Sequence, residues 1–146
     1  MLSLFFVALF SYEAIYLAYR FWKEKNKKRK AEKLNQNPTP MVTIQLPIYN
    51  ELYVAKRLIT AVCNLDYPLN KLEIQVLDDS TDQTSKICKE RVLHFREMGF
   101  NIHYIHRGQR RGFKAGALKE GLTQAKGELI TIFDADFIPA QDFLKK

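Results

Sequence analysis

The first twenty-two positions, MLSLFFVALFSYEAIYLAYRFW, are apolar with few interruptions, a run long enough to cross a hydrocarbon core as a helix. Beyond residue 40 the pattern changes. Short apolar runs predict strands at Val42–Leu46, Leu72–Leu77, Ile102–His106 and Leu129–Phe133, and apolar residues at helical spacing predict helices at Glu51–Asn64, Asp82–Met98 and Lys114–Ala125. Gly99 is the stop of the second helix, and Ser80 or Thr81 is expected to cap its start. Strands alternating with helices are the signature of a mostly parallel sheet covered on both faces. Right-handed crossovers then bring every strand end to one edge, where ligands of open α/β sheets bind.

Two charges interrupt the N-terminal run. Glu13 is expected to face a partner helix or a polar cavity, because a charge near mid-membrane costs a few kcal/mol. Arg20, one turn from the end, can snorkel. Tyr16, Tyr19, Phe21 and Trp22 collect where an interfacial aromatic belt would lie, and the basic residues follow the apolar run, opposite to the order in a signal peptide.

The formal charge of +7 is concentrated: the segment from Lys23 to Lys33 holds seven basic residues against two acidic ones, and the remainder is nearly balanced. Without interleaved aromatics this segment predicts a membrane-surface tether and no nucleic-acid partner. By the positive-inside rule the rest of the chain faces the cytoplasm. The proline-broken NQNPTP at Asn35–Pro40 marks a linker. The expected organisation is a transmembrane helix at 1–22, a basic juxtamembrane segment and linker at 23–40, and an α/β domain at 41–146. Cys63 and Cys88 have no metal-site spacing and are expected to be reduced core thiols.

The predicted strands end in PIYNE, DDS, HRGQRRGFKAG and DAD. Asp78, Asp79, Asp134 and Asp136 on one edge would repel each other unless a cation or hydrogen-bond donors compensate. Asp134-Ala135-Asp136, directly after an apolar strand, offers hard oxygen ligands at i and i+2 suited to Mg²⁺ or Mn²⁺. Asp79 can accept a hydrogen bond from a base, and Tyr49 at the neighbouring strand end offers a stacking face. Lys114 stands where a diphosphate would meet a cation and helix N-terminal amides, whereas Arg107, Arg110 and Arg111 suit a diphosphate or a solvated loop equally well. His94, His103 and His106 show no ligand spacing. No G-x-G-x-x-G follows the first strand and no Walker-type loop occurs, which argues against a dinucleotide oxidoreductase or a P-loop NTPase.

PIYNE, VLDDS, RGFKAGAL and FDAD, in this order, resemble the motifs of the inverting family 2 glycosyltransferases of GT-A fold. The wording AVCNLDYPLNKLEIQVLDDSTD with HRGQRRGFKAGALKEGL is similar to the cellulose synthase-like mannan and glucan synthases, and the resemblance spans Pro40 to Lys146. It implies a Rossmann-like nucleotide-sugar-binding half-domain that serves transfer of a hexose from a UDP- or GDP-sugar to a growing β-glycan. Tyr49 and Glu51 would line the nucleotide pocket, Asp79 would contact the base, Lys114 would approach the diphosphate, and Asp134 and Asp136 would hold Mg²⁺ or Mn²⁺. The family's TED-like general-base motif and its Q-x-x-R-W acceptor motif do not occur, so the expectation is a donor-binding half that is inactive alone. The alternative is a non-catalytic, membrane-tethered module that binds nucleotide-sugar or regulates a synthase.

Overall fold

The computed structural model describes residues 16–17, 19–25 and 39–145. They fall into two compact units, Met1–Pro38 and Thr39–Lys146. In the first, residues 16–17 and 19–25 are helical, and Tyr16, Leu17, Tyr19, Phe21 and Trp22 are exposed. Most of the expected transmembrane helix and of the basic segment lies outside the described residues. Among the described residues no helix is long and apolar enough to cross a membrane.

The second unit is a four-stranded parallel sheet carrying three α-helices. Its elements are β1 (Val42–Ile48), α1 (Ala55–Cys63), β2 (Leu72–Asp78), α2 (Thr84–Glu97), β3 (Ile102–His106), α3 (Phe113–Gln124) and β4 (Leu129–Ile132), with strand order β3-β2-β1-β4. In register, Ile48 lies opposite Asp78 and Asp78 opposite His106, so β1, β2 and β3 end together on one edge, as the alternating pattern predicts.

Two boundaries differ from expectation for identifiable reasons. β1 continues through Pro47 although it is a central strand, where proline normally removes a ladder bond. The Gln45 carbonyl accepts from Phe133 N–H and the Ile48 carbonyl from Asp79 N–H, so Pro47 faces the β4 side. There β4 has already ended, at Ile132 opposite Gln45, and no bond is lost. The first helix begins at Ala55 rather than Glu51 because Asn50 takes a left-handed φ of 54° and the Glu51 carbonyl closes a turn onto the N–H groups of Val54 and Ala55. Neither Ser80 nor Thr81 caps α2; the Asp82 carboxylate accepts from Thr84 N–H at 2.9 Å instead.

The two faces of the sheet are chemically unlike. Val42, Ile44, Leu46 and Ile48 of β1 alternate onto the same face as Leu72, Ile74 and Val76 of β2, where they pack with Leu58, Ile59 and Val62 of α1 and Cys88, Val92 and Phe95 of α2. Burial pushes the Cys63 and Cys88 thiols up to about 12, which keeps these free cysteines unreactive at neutral pH. The opposite face, under α3, presents Thr43, Gln45, Glu73 and Gln75, all buried. They satisfy each other: Thr43 Oγ1 donates to Glu73 Oε2 at 2.6 Å, Gln45 Nε2 to Gln75 Oε1 at 3.0 Å, and Lys126 N–H to Glu73 Oε2 at 2.8 Å. Only Ala117 and Gly121 of α3 are buried on this face, because the helix comes so close that a Cβ at Gly121 would lie 2.7 Å from both glutamine side chains.

Gly127, which leads into β4, is equally confined: a Cβ there would stand 2.3 Å from Thr43 N and 2.7 Å from Leu129 O, backbone atoms that cannot rotate away. Gly127→Ala is therefore expected to lose about 1–3 kcal/mol of stability by urea denaturation. Gly108→Ala, with nothing within 4 Å of the added methyl, should stay within about 0.5 kcal/mol of the parent.

Candidate functional site

The β1 and β2 ends are stitched together by backbone-to-side-chain bonds. Asn50 N–H donates to Ser80 Oγ and Thr81 N–H to Asn50 Oδ1, both at 2.9 Å. This pairing holds Asn50 in its left-handed conformation and leaves Tyr49 and Glu51 on the wall of a cleft.

The adjacent aspartates at the end of β2 part company, as neighbouring residues on a strand must. Asp78 is fully buried and turns toward β3, accepting from Tyr104 Oη at 2.6 Å and Ser80 N–H at 2.9 Å, with His106 Nδ1 at 3.2 Å. Burial raises its pKa, but hydrogen bonds from Ser80, Tyr104 and Ser85 outweigh that and hold it below its ordinary value. Burial first, and Asp78 second, pushes the Tyr104 phenol up. Asp78 is thus a cross-strand tie and does not join the acidic group facing the cleft.

Asp79 does face the cleft, and its carboxylate is already engaged. Arg107 Nε donates to Asp79 Oδ1 at 2.7 Å and Arg107 Nη2 donates to Asp79 Oδ2, a bidentate pair with side chains only 9% and 5% exposed. The same guanidinium donates to the carbonyls of Arg111 and Phe113, each at 3.0 Å, so the loop from Arg107 to Phe113 is wound around it. The hydrogen bond to Asp79 holds the Arg107 pKa above its usual value. Gly112 and Phe113 both take left-handed φ values, 70° and 50°, at the turn into α3. Strained backbone of this kind persists where surrounding bonds over-determine it.

The turn sets Lys114 at the start of α3, where its ammonium donates to Asp134 Oδ1. After β4 the chain keeps its alternation. Phe133 and Ala135 are buried while Asp134 and Asp136 are exposed, so the two carboxylates share the side that lines the cleft. Phe133 is pinned by the rings of Phe137 and Phe143, at 5.4 and 5.0 Å between centroids. Among the described residues no cluster of three or more metal-ligating side chains exists. Two exposed hard-oxygen ligands at i and i+2 still fit Mg²⁺ or Mn²⁺, ions that take the rest of their coordination from water and substrate phosphates.

All six residues singled out from sequence, Tyr49, Glu51, Asp79, Lys114, Asp134 and Asp136, line this one cleft of about 410 Å³, within the range of roughly 300–1,000 Å³ usual for small-molecule sites. Sequence left the three arginines undivided, whereas the structure separates them. Arg107 is the buried partner of Asp79, Arg111 is exposed, and Arg110 enters the cleft with its guanidinium 3.4 Å from the centre of the Tyr49 ring. The signal that could have found the ion pair is the β2–β3 register, which brings the residues following Asp78 and His106 side by side.

Residues 43–146 match the model of glycosyl transferase family 2. The chain is 44% identical over 142 residues to glucomannan 4-beta-mannosyltransferase 2 of Arabidopsis thaliana, covering 90% of this chain and 27% of that protein. It is 49% identical over 109 residues to probable glucomannan 4-beta-mannosyltransferase 11 of Oryza sativa subsp. japonica, covering 72% and 19%. It thus spans about a fifth to a quarter of the length of these relatives. Among solved structures, the mannosyltransferase PcManGT from Pyrobaculum calidifontis, in complex with GDP-Man and Mn²⁺, superposes with a TM-score of 0.65 at 35% identity over 71% of this chain and 30% of that one. S. aureus TarS 1-349 in complex with UDP-GlcNAc superposes with a TM-score of 0.56 at 27% identity over 71% and 29%.

Removing Arg107 leaves the Asp79 carboxylate buried without its partner. Arg107→Ala is expected to lose about 3–5 kcal/mol of stability in a denaturant titration. Arg107→Lys should recover only part of that, because an ammonium cannot reproduce the fork that also holds the Arg111 and Phe113 carbonyls.

Proposed function

The chain belongs to glycosyl transferase family 2, and from that premise we propose that its cleft is the donor side of a hexosyl transfer in which a β-glycan hydroxyl displaces the nucleoside diphosphate of a nucleotide-sugar with inversion. The observation that carries this reading is the convergence of an aromatic ring, an ammonium and two exposed carboxylates on one cleft at the C-terminal edge of a parallel sheet. A GDP-sugar, and mannose as its sugar, is the favoured donor. Relatives named as mannosyltransferases and a solved neighbour holding GDP-Man support that choice.

In this reading Tyr49 and Glu51 form the nucleoside wall, and Lys114 approaches the diphosphate from the first turn of α3, where helix N-terminal amides add to its charge. Asp134 and Asp136 would hold Mg²⁺ or Mn²⁺, which when bound supplies positive charge to the departing diphosphate. The Lys114 contact to Asp134 then has a second meaning, since an ammonium balances one carboxylate of a pair that would otherwise face its neighbour uncompensated. Asp79, already neutralised by Arg107, lines the same cleft as Tyr49, and in the base site a carboxylate oxygen can still accept from a base N–H. Deprotonation of the acceptor hydroxyl is assigned to no residue of this chain. The apolar segment 1–22 and the basic run after it support a membrane anchor with the sheet domain on the cytoplasmic side.

Calorimetric titration of the detergent-solubilised chain with GDP, UDP and ADP, each with and without Mn²⁺, tests this. GDP is expected to bind best and only with the cation, and the Asp134→Ala, Asp136→Ala double variant should lose at least roughly tenfold, about 1.4 kcal/mol. Binding that ignores the cation, the base and both aspartates would exclude a nucleotide-sugar site.

A further inference from the structure

Arg110 stands in an unusual place for a surface-loop arginine. Its guanidinium lies over the Tyr49 ring at 3.4 Å from the centroid, 5.1 Å from the centre of the Phe113 ring, with Nε 3.9 Å from Asp79 Oδ2. That Nε is buried and has no hydrogen-bond partner. Arg107 already occupies the Asp79 carboxylate, so Arg110 is held mainly by ring faces. A buried N–H without an acceptor costs free energy, so this Nε has a bond still to make, while the side chain as a whole, 35% exposed, reaches the cleft.

The position also divides the site. On one side is the cleft of about 410 Å³ that holds Lys114, Asp134 and Asp136; on the other is a second cavity of about 480 Å³ bounded by Ser80, Thr81, Asp82 and His106. Tyr49, Asp79 and Arg110 line both. Tyr49 and Asp79 follow directly on β1 and β2, and Asp79 is tied to Arg107, whereas Arg110 sits on the loop after β3 with its Nε unpartnered.

We propose that Arg110 is an exchangeable occupant of the base-stacking surface, and that the donor's diphosphate releases it. The guanidinium rests on the face of Tyr49 that a nucleobase needs. A nucleoside must displace it and offers no anion in return. A nucleoside diphosphate displaces it and supplies a phosphate oxygen to the unpartnered Nε–H, so the arginine exchanges a ring face for a charge-assisted bond. Arg110 thereby makes the site select for phosphorylated ligands beyond what Lys114 contributes. This rests on the donor reading of the cleft.

The test compares guanosine with GDP, in the presence of Mn²⁺, on the wild-type chain and on Arg110→Ala and Arg110→Lys. Arg110→Ala is expected to bind guanosine roughly 3- to 30-fold more tightly, the scale of a desolvated cation–π contact removed from competition, and to bind GDP no better or more weakly. The preference for GDP over guanosine should therefore shrink by about threefold or more. Arg110→Lys keeps the charge and loses the flat face, so it should gain on guanosine while holding GDP near the wild-type affinity, and it decides the matter if the alanine variant does not fold. An unchanged GDP-to-guanosine preference in a folded variant, with wild type binding GDP normally, overturns the exchange alone. A wild-type chain that binds no nucleoside diphosphate overturns the donor reading together with it.

Discussion

The buried pair between Asp79 and Arg107 is the interaction on which the site's geometry depends. It joins the end of β2 to the loop after β3, and the remaining donors of the same guanidinium fix two loop carbonyls. Because Arg111 and Phe113 are held from inside, the turn into α3 accepts two consecutive left-handed residues, and Lys114 emerges at one position. A buried ion pair is poor evidence of added stability, since desolvation consumes much of the Coulomb gain. Its return is in placement: a bidentate fork defines an orientation that a greasy contact would leave free.

The parallel register supplies what the pair organises. With β1, β2 and β3 ending level, one aspartate from β2, one tyrosine from β1 and the loop from β3 meet without any long insertion. β4 ends earlier against β1, opposite Gln45, and the chain continues as Asp134-Ala135-Asp136 across the opening this creates. The short β4 and the proline at position 47 are one device, since the strand that would have required the missing N–H stops before reaching it.

Much of this was legible in the sequence because it is written in periodicities. Alternating strands and helices gave the parallel sheet, and the polar and acidic strand ends named the edge and six of the residues that line its cleft. What was hidden depends on three-dimensional partners. Asp78 and Asp79 look alike in the chain, yet their opposite orientation on a strand sends one to Tyr104 and the other to Arg107; the two-residue period held that information, but the choice of partner required the β2–β3 pairing. The arginines of HRGQRRG could not be told apart, because only the fold of their loop decides which is buried. The strands looked apolar, and the second, polar face formed by Thr43, Gln45, Glu73 and Gln75 emerged only when β1 and β2 were seen side by side. Helix starts were misplaced by a few residues where Asn50 and Asp82 formed turns that compete with a cap. The apolar N-terminal run speaks through composition alone, since most of it lies outside the described residues.

That polar face gives the two sides of the sheet different responses to cooling. Apolar burial weakens as temperature falls, so the seating of α1 and α2 on the sheet loosens toward the cold. Under α3, a threonine, a glutamate and two glutamines tie β1 to β2, and the glutamate also holds Lys126 N–H, through directional bonds that do not share that dependence. Toward the cold, the pairing of β1 with β2 on this face would therefore outlast the grip of α1 and α2 on the other.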